Sequence, residues 1–233
     1  MLVLQTQIAR TYGLRGDFSQ AREILKNIEL MLGAAGAEPR IRHALELGRT
    51  YASAAHPKES QTPQAKAQAR TLYVQAFQLA KKEKFDALAI DAVHMLAFVD
   101  TEPAEQLRWA EEALALVESS SQPAAKRWEA SLRNNAGYAL HQLARYDEAL
   151  SQFERALALR TPGTDPARVA RWMVGWTLRS LGRLDEALRL QLELEREWDA
   201  AGKPDPHVFD ELELLYRAKG DEARASHYAA RRK

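Results

Sequence analysis

Asn135-Ala136-Gly137-Tyr138-Ala139-Leu140, followed by Tyr146-Asp147-Glu148-Ala149-Leu150, is the stretch that decides the fold, because the chain writes it again. The second copy is Met173-Val174-Gly175-Trp176-Thr177-Leu178 with Leu184-Asp185-Glu186-Ala187-Leu188. A looser third is Leu212-Glu213-Leu214-Leu215-Tyr216 with Gly220-Asp221-Glu222 and Ala225. Gly137 and Gly175 are 38 residues apart, as are Ala149 and Ala187, and Ala187 and Ala225. A fixed spacing of this size marks an array of structural repeats. Toward the N-terminus the same grammar continues with more noise. Ile8-Ala9-Arg10-Thr11-Tyr12 leads to Gly16-Asp17-Phe18-Ser19-Gln20-Ala21, and Leu47-Gly48-Arg49-Thr50-Tyr51 opens another unit. That unit is interrupted by a polar, proline-bounded insertion near residues 53–63, expected to be a mobile loop. The third unit, 85–118, is the most degenerate, with a short turn at Asp100-Thr101-Glu102-Pro103.

The repeated segments have helical periodicity. Leu143, Tyr146, Leu150, Phe153 and Leu157 recur at three- and four-residue steps, the period of one helix face. Asp147 and Glu148 place acidic groups at a helix start, where they complement the exposed amides. Asp165-Pro166 and Asp205-Pro206 each read as an N-cap followed by proline in the first turn. Gly16, Gly182 and Gly220 fall at the bends between paired helices, where a positive backbone torsion is needed. The pattern predicts helices over residues 2–14, 18–33, 38–54, 63–82, 84–99, 103–119, 123–143, 147–160, 166–181, 185–201, 206–218 and 221–231, with no sheet. Small residues at Ala9, Gly48, Gly137 and Gly175 are expected to let the paired helices approach, matched by Ala21, Ala149, Ala187 and Ala225 from the other side.

These units resemble tetratricopeptide repeats, whose pattern is W-x2-L-G-x2-Y, then A-x3-F. Leu47-Gly48-x2-Tyr51 has the spacing of the first part, and Ala149-x3-Phe153-x2-Ala156 that of the second. The period here is longer than the usual 34 by about one helical turn, and the customary Trp is missing from most units. The resemblance implies an all-α, right-handed α-solenoid of about six antiparallel hairpins, at 2–33, 38–82, 84–119, 123–160, 166–201 and 206–231, forming a single repeat domain over 1–233. Neither end carries an additional solvating helix, which fits a piece of a larger protein or a homodimer.

The bulk numbers exclude several functions. There are 33 Lys+Arg against 32 Asp+Glu, a formal net charge of +1, so no basic surface for nucleic acid is expected. No cysteine is present, which rules out disulfides, thiolate metal sites and cysteine nucleophiles. No run approaches the roughly 18 apolar residues of a membrane helix, and residues 1–7 lack a signal-peptide pattern. A cytoplasmic protein without membrane insertion is expected. The six histidines form no HExxH or other tight pair, and no phosphate loop or nucleophile elbow occurs, so neither a cofactor nor an enzymatic activity is expected.

What the resemblance implies is binding. The first helix of each hairpin would line a concave groove, and large side chains outside the packing columns would meet a ligand. In the fifth hairpin these are Trp172, Trp176 and Arg179; the two tryptophans, four apart, share a helix face. With Val174, Gly175 and Leu178 packing inward, both would point to the groove. The matching places in the fourth hairpin are Asn134, Tyr138 and His141, with Asn135 beside them. In the third they are His94, Met95 and Phe98, and in the first two Arg10 and Arg49. The alternative is that Trp172 and Trp176 fill space against the next hairpin. Asn135 matches the place where peptide-binding members bond a ligand backbone. The clamp on two carboxylates found in one branch is not expected, because Val169, Met173, His94 and Phe98 stand where its Lys, Arg and Asn residues are required. The expected partner is a protein or peptide, held by a scaffold or adaptor. The alternative role is a sensor or regulatory segment of a larger bacterial transcriptional or signalling protein.

Overall fold

The structure, a computed structural model, describes residues 1–232 and is all-helical over them. In chain order the helices are α1 (Leu2–Leu14), α2 (Phe18–Glu29), α3 (Ala37–Arg49), α4 (Pro63–Lys82), α5 (Asp86–Val99), α6 (Pro103–Ser119), the single turn α7 (Pro123–Lys126), α8 (Glu129–Gln142), α9 (Tyr146–Ala158), α10 (Asp165–Ser180), α11 (Leu184–Ala200), α12 (Pro206–Ala218) and α13 (Glu222–Arg231). The chain divides into two compact units, residues 1–135 and 136–233, with the division inside α8.

In the first unit α1 packs on α2, α3 on α4 and α5 on α6, while α1 also meets α3 and α3 meets α5. That is the contact pattern of stacked helical hairpins, with first helices side by side. The close approaches rest on the expected small residues. A Cβ built on Gly48 would lie 2.5 Å from Tyr73 Cε1, so α4 presses its tyrosine ring directly onto the backbone of α3. Tyr73 is fully buried and its hydroxyl donates to the Ala52 carbonyl at 2.7 Å. Ala9, Ala21, Leu25 and Ile28 close the first hairpin.

In the second unit α10 packs on α9 and α11, α11 on α12, and α12 on α13. Gly137 faces Phe153 in the same manner as Gly48 faces Tyr73, with a built Cβ 2.7 Å from Cε1, and Gly175 faces Gln191. The last core gathers Leu194, Trp198, Val208, Phe209, Leu212, Tyr216, Ala225 and Tyr228. Each large side chain buried this fully contributes about 1.5–3 kcal/mol relative to exposure.

The hairpin bends show one hydrogen-bond pattern. Gly16, Gly182 and Gly220 adopt positive φ as expected, at 85°, 75° and 77°. The residue after each bonds back across the turn, for example Arg183 N–H to the Leu178 carbonyl at 2.9 Å. Ala144 and Lys84 take the same left-handed conformation without being glycine, and Arg145 and Phe85 close the same bonds to Leu140 and Ala80. The returned bonds satisfy carbonyls that the helix end leaves open, and this offsets the cost of a Cβ there.

Two local expectations need correction. The helix expected over 123–143 is broken at 127–128 into α7 and α8. Asp165 is the first residue of α10 and not its cap; Thr164 holds the cap position, and the Asp165 carboxylate takes Arg168 at 2.7 Å and Lys203 at 3.3 Å. The insertion is mostly exposed and is anchored at His56 and Gln61. His56 stacks on Phe18 with centroids 3.6 Å apart, its Nε2 lies 3.0 Å from the Arg49 carbonyl, and Gln61 Nε2 donates to the His56 carbonyl.

Candidate functional site

The expected site residues divide between the two units. Trp172, Trp176, Arg179, Tyr138 and His141 lie in the second; His94, Phe98, Asn134 and Asn135 lie in the first.

In the second unit the aromatic side chains of α8, α10 and α12 form a ladder. The Tyr138 and Trp176 rings are 6.0 Å apart and near-parallel, and Trp176 and Trp172 follow at 5.7 Å. Trp172 then meets His207 edge-on at 6.1 Å. The four-residue step on α10 sets two indoles one above the other, and the 38-residue repeat brings Tyr138 level with Trp176. Offset pairs of this kind contribute about 0.5–1.5 kcal/mol each beyond area burial. The ladder is only partly covered: Tyr138 is 44% exposed, and both tryptophans are half-buried. The Trp172 indole N–H donates to the His207 carbonyl at 3.0 Å. The same rings thus brace neighbouring hairpins and present aromatic surface.

Below Trp176 lies His141, ring on ring at 3.4 Å and 9% exposed. Ser180 Oγ donates to the Trp176 carbonyl at 3.2 Å, so at 2.9 Å it accepts from His141 Nε2–H, which fixes the neutral tautomer. Burial, reinforced by the Arg179 charge, pushes the His141 imidazole down to about 4. Arg179 itself forms a two-pronged pair with Glu211, Nε to Oε2 at 2.7 Å and Nη2 to Oε1 at 2.8 Å, joining α10 to α12. The Glu211 side chain is only 5% exposed, so the pair is substantially desolvated. Much of the Arg179 charge is therefore committed within the chain.

In the first unit Asn135 Nδ2 lies 3.3 Å from His94 Nδ1; the amide nitrogen only donates, so His94 is protonated on Nε2. Burial holds the His94 imidazole below its ordinary value, with Asp91 opposing the shift. The ring also meets Trp128 at 5.3 Å. Phe98 and Asn134 are half-buried. Beside His94 stands an ion-pair network spanning α1, α3 and α5. Arg49 donates to Glu46 at 2.6 Å and Asp91 at 2.5 Å, and Arg10 donates to Glu46 at 3.1 Å. Burial opposes the charge on Arg49, but the two carboxylates outweigh it and raise its pKa. Arg10, Arg49 and His94 were legible from repeat position; Glu46, Asp91, Glu211, Ser180 and Trp128 were not. The one available signal was the three-residue spacing of Glu46 to Arg49 and of Asp91 to His94, a helix-neighbour spacing.

Among the described residues no three His, Asp or Glu are grouped to hold a metal. No described helix is long and apolar enough to cross a membrane.

Stacked hairpins with first helices side by side and a shared small-residue contact define a helical-hairpin repeat protein. Residues 128–196 match the Tetratricopeptide repeat family, and the chain as a whole has the fold of a helical-hairpin solenoid. No curated protein matches the chain. Among solved structures, the signal-transduction ATPase with numerous domains from Pyrococcus horikoshii, described with a tetratricopeptide repeat sensor, superposes with a TM-score of 0.77 at 12% identity. The match covers 99% of this chain and 35% of that one. BtubC (BKLC) from P. vanneervenii gives 0.67 at 18% identity, over 100% and 89% of the two chains. YrrB, described as a TPR protein with an unusual peptide-binding site, gives 0.56 at 18% identity, over 89% of each. At these identities the likeness is one of fold.

Proposed function

We propose that this chain is a protein- or peptide-binding scaffold that works by equilibrium capture and not by catalysis. Its fold class generally serves protein–protein and peptide binding. The contact face in this reading is the aromatic ladder of Tyr138, Trp176 and Trp172. The observation that carries it is the partial exposure of three stacked rings along adjacent first helices. Large rigid rings of this kind bury about 150–250 Å² each when covered, at little cost in side-chain entropy. His141 and the Arg179–Glu211 pair position the ladder from below and beside it. The ligand is an extended or helical peptide with apolar or aromatic anchors. The likeness to a repeat sensor within a larger ATPase supports a second reading, in which the same capture serves as the input of a signalling protein.

The test is selection of binding peptides from a random library displayed on phage, using the purified chain as bait. The expected peptides carry at least one aromatic or large aliphatic anchor. Trp176→Ala is expected to weaken them by about 30-fold or more, the loss of an interface hot spot, with circular dichroism unchanged. Selected peptides that bind Trp172→Ala and Trp176→Ala as tightly as the parent would remove the ladder from the reading.

A further inference from the structure

The first unit holds a half-open cavity of about 320 Å³ between α1, α3 and α5, and nothing in the aromatic ladder shares a residue with it. A regular repeat would leave this side of the first helices open. Here the insertion after α3 supplies a wall, residues 53–55, while Trp128, Met95 and Leu14 furnish apolar surface. The volume equals the share of about ten waters at ~30 Å³ each, the low end of small-ligand cavities.

The polar lining carries both signs of charge. Arg10 and Arg49 face Glu46 and Asp91. Arg49 donates to both carboxylates and is only 13% exposed at its side chain, whereas Arg10 is 38% exposed and commits one nitrogen, hydrogen-bonded to Glu46 and 4.0 Å from Asp91 Oδ2. Glu46 Oε1 accepts from both arginines and Asp91 Oδ1 from Arg49. Among the described residues Glu46 Oε2 and Asp91 Oδ2 accept no hydrogen bond, Asp91 Oδ2 having only the longer ion pair with Arg10. Donors beyond these bonds therefore remain on both cations, the more exposed on Arg10, and acceptors on two anions, around one cavity. If the network served only to join three helices, well-packed apolar residues would do so at lower desolvation cost and leave no void.

We infer that this cavity is a binding site for a free α-amino acid with an apolar side chain, its carboxylate on Arg10, its ammonium on Glu46 and Asp91, and its side chain toward Trp128 and Met95. In an α-amino acid the two charges sit on groups of one carbon, which matches an Arg10–Glu46 pair 3.1 Å apart. A molecule of one sign would satisfy one half of the lining and repel the other.

The experiment is isothermal titration calorimetry of the full chain with each free amino acid, and with the α-N-acetyl and α-amide derivative of every one that binds. The expected result is saturable binding of one or more apolar amino acids, weakened about tenfold or more by removal of either charge. Gly13 lines the cavity on α1 with no atom within 4 Å of a built Cβ, so Gly13→Leu adds bulk at the cavity wall without a clash at Cβ. This variant is expected to keep the helical signal and melting temperature of the parent and to lose binding. Arg10→Gln is expected to lose affinity for the free amino acid while leaving the α-amide less affected. No binding by any amino acid, derivatives that bind as well as their parents, or undiminished binding by folded Gly13→Leu would each overturn the inference. The peptide selection on the aromatic ladder reads a different unit, so either proposal fails without the other.

Discussion

Gly48→Ala puts the hairpin contact under direct test. Gly48 lies one residue from the end of α3, where alanine gains at most about 1 kcal/mol of helix propensity over glycine. Against that, the new methyl would lie 2.5, 2.9 and 3.0 Å from three ring carbons of Tyr73. The ring cannot turn away cheaply, because it is fully buried and its hydroxyl is tied to the Ala52 carbonyl. Overpacking of this kind costs about 1–3 kcal/mol, and a displaced Tyr73 forfeits about 1 kcal/mol more with its hydrogen bond. The net expectation is destabilisation by roughly 1–3 kcal/mol, a fall in melting temperature of about 2–4 °C per kcal/mol. Gly13→Ala is the control, because no atom lies within 4 Å of its built Cβ; it should be neutral or stabilising by up to about 1 kcal/mol. Urea unfolding followed by circular dichroism reads both. Equal shifts for the two variants, or a stabilised Gly48→Ala, would refute the account of how α3 and α4 pack.

Two further outcomes follow from the second unit. His141 titrates near 4 in the fold against an ordinary 6.5, so its contribution is fully present above pH 6.5 and is lost as the pH falls toward 4. The loss is on the order of 1–2 kcal/mol after allowance for solvent screening, and unfolding at pH 7 and pH 4.5 should show it in the parent but less in His141→Gln. Burial lowers the His43 and His94 imidazoles in the same direction, so the difference between the two proteins is the quantity to read. Glu211→Gln leaves Arg179 charged and half-paired, and is expected to cost about 1–3 kcal/mol. The apolar double substitution Arg179→Met/Glu211→Leu should recover part of that loss in the same unfolding assay, and failure to do so would mean the pair is not the source of the cost.

The repeat was legible because its marks are local. Gly137, Gly175 and their alanine partners recur at one spacing, and Gly16, Gly182 and Gly220 announce left-handed turns. Ala144 and Lys84 hide the same turn, since their conformation is held by backbone bonds that leave no trace in composition. The contact that anchors the insertion, the His56 ring on Phe18, joins residues of different helical pairs and leaves no local mark. The same reason limits the site. That Trp172 and Trp176 share a face follows from one helix. That Arg179 meets Glu211, or that Arg10 meets Glu46, depends on the offset between hairpins, which an irregular period blurs. The division into two compact units left no mark that the 38-residue spacing reveals.

Peptide capture on the ladder of Tyr138, Trp176 and Trp172, as proposed, can be read from the tryptophans themselves. The chain has five tryptophans, at 109, 128, 172, 176 and 198, so fluorotryptophan labelling gives five fluorine resonances, assignable by single substitutions. Titration with a library-selected peptide is the direct measurement. With capture on the ladder, the Trp172 and Trp176 resonances shift together and saturably, while Trp109, Trp128 and Trp198 stay in place. Saturable shifts confined to those other three, with Trp172 and Trp176 unmoved, would contradict it.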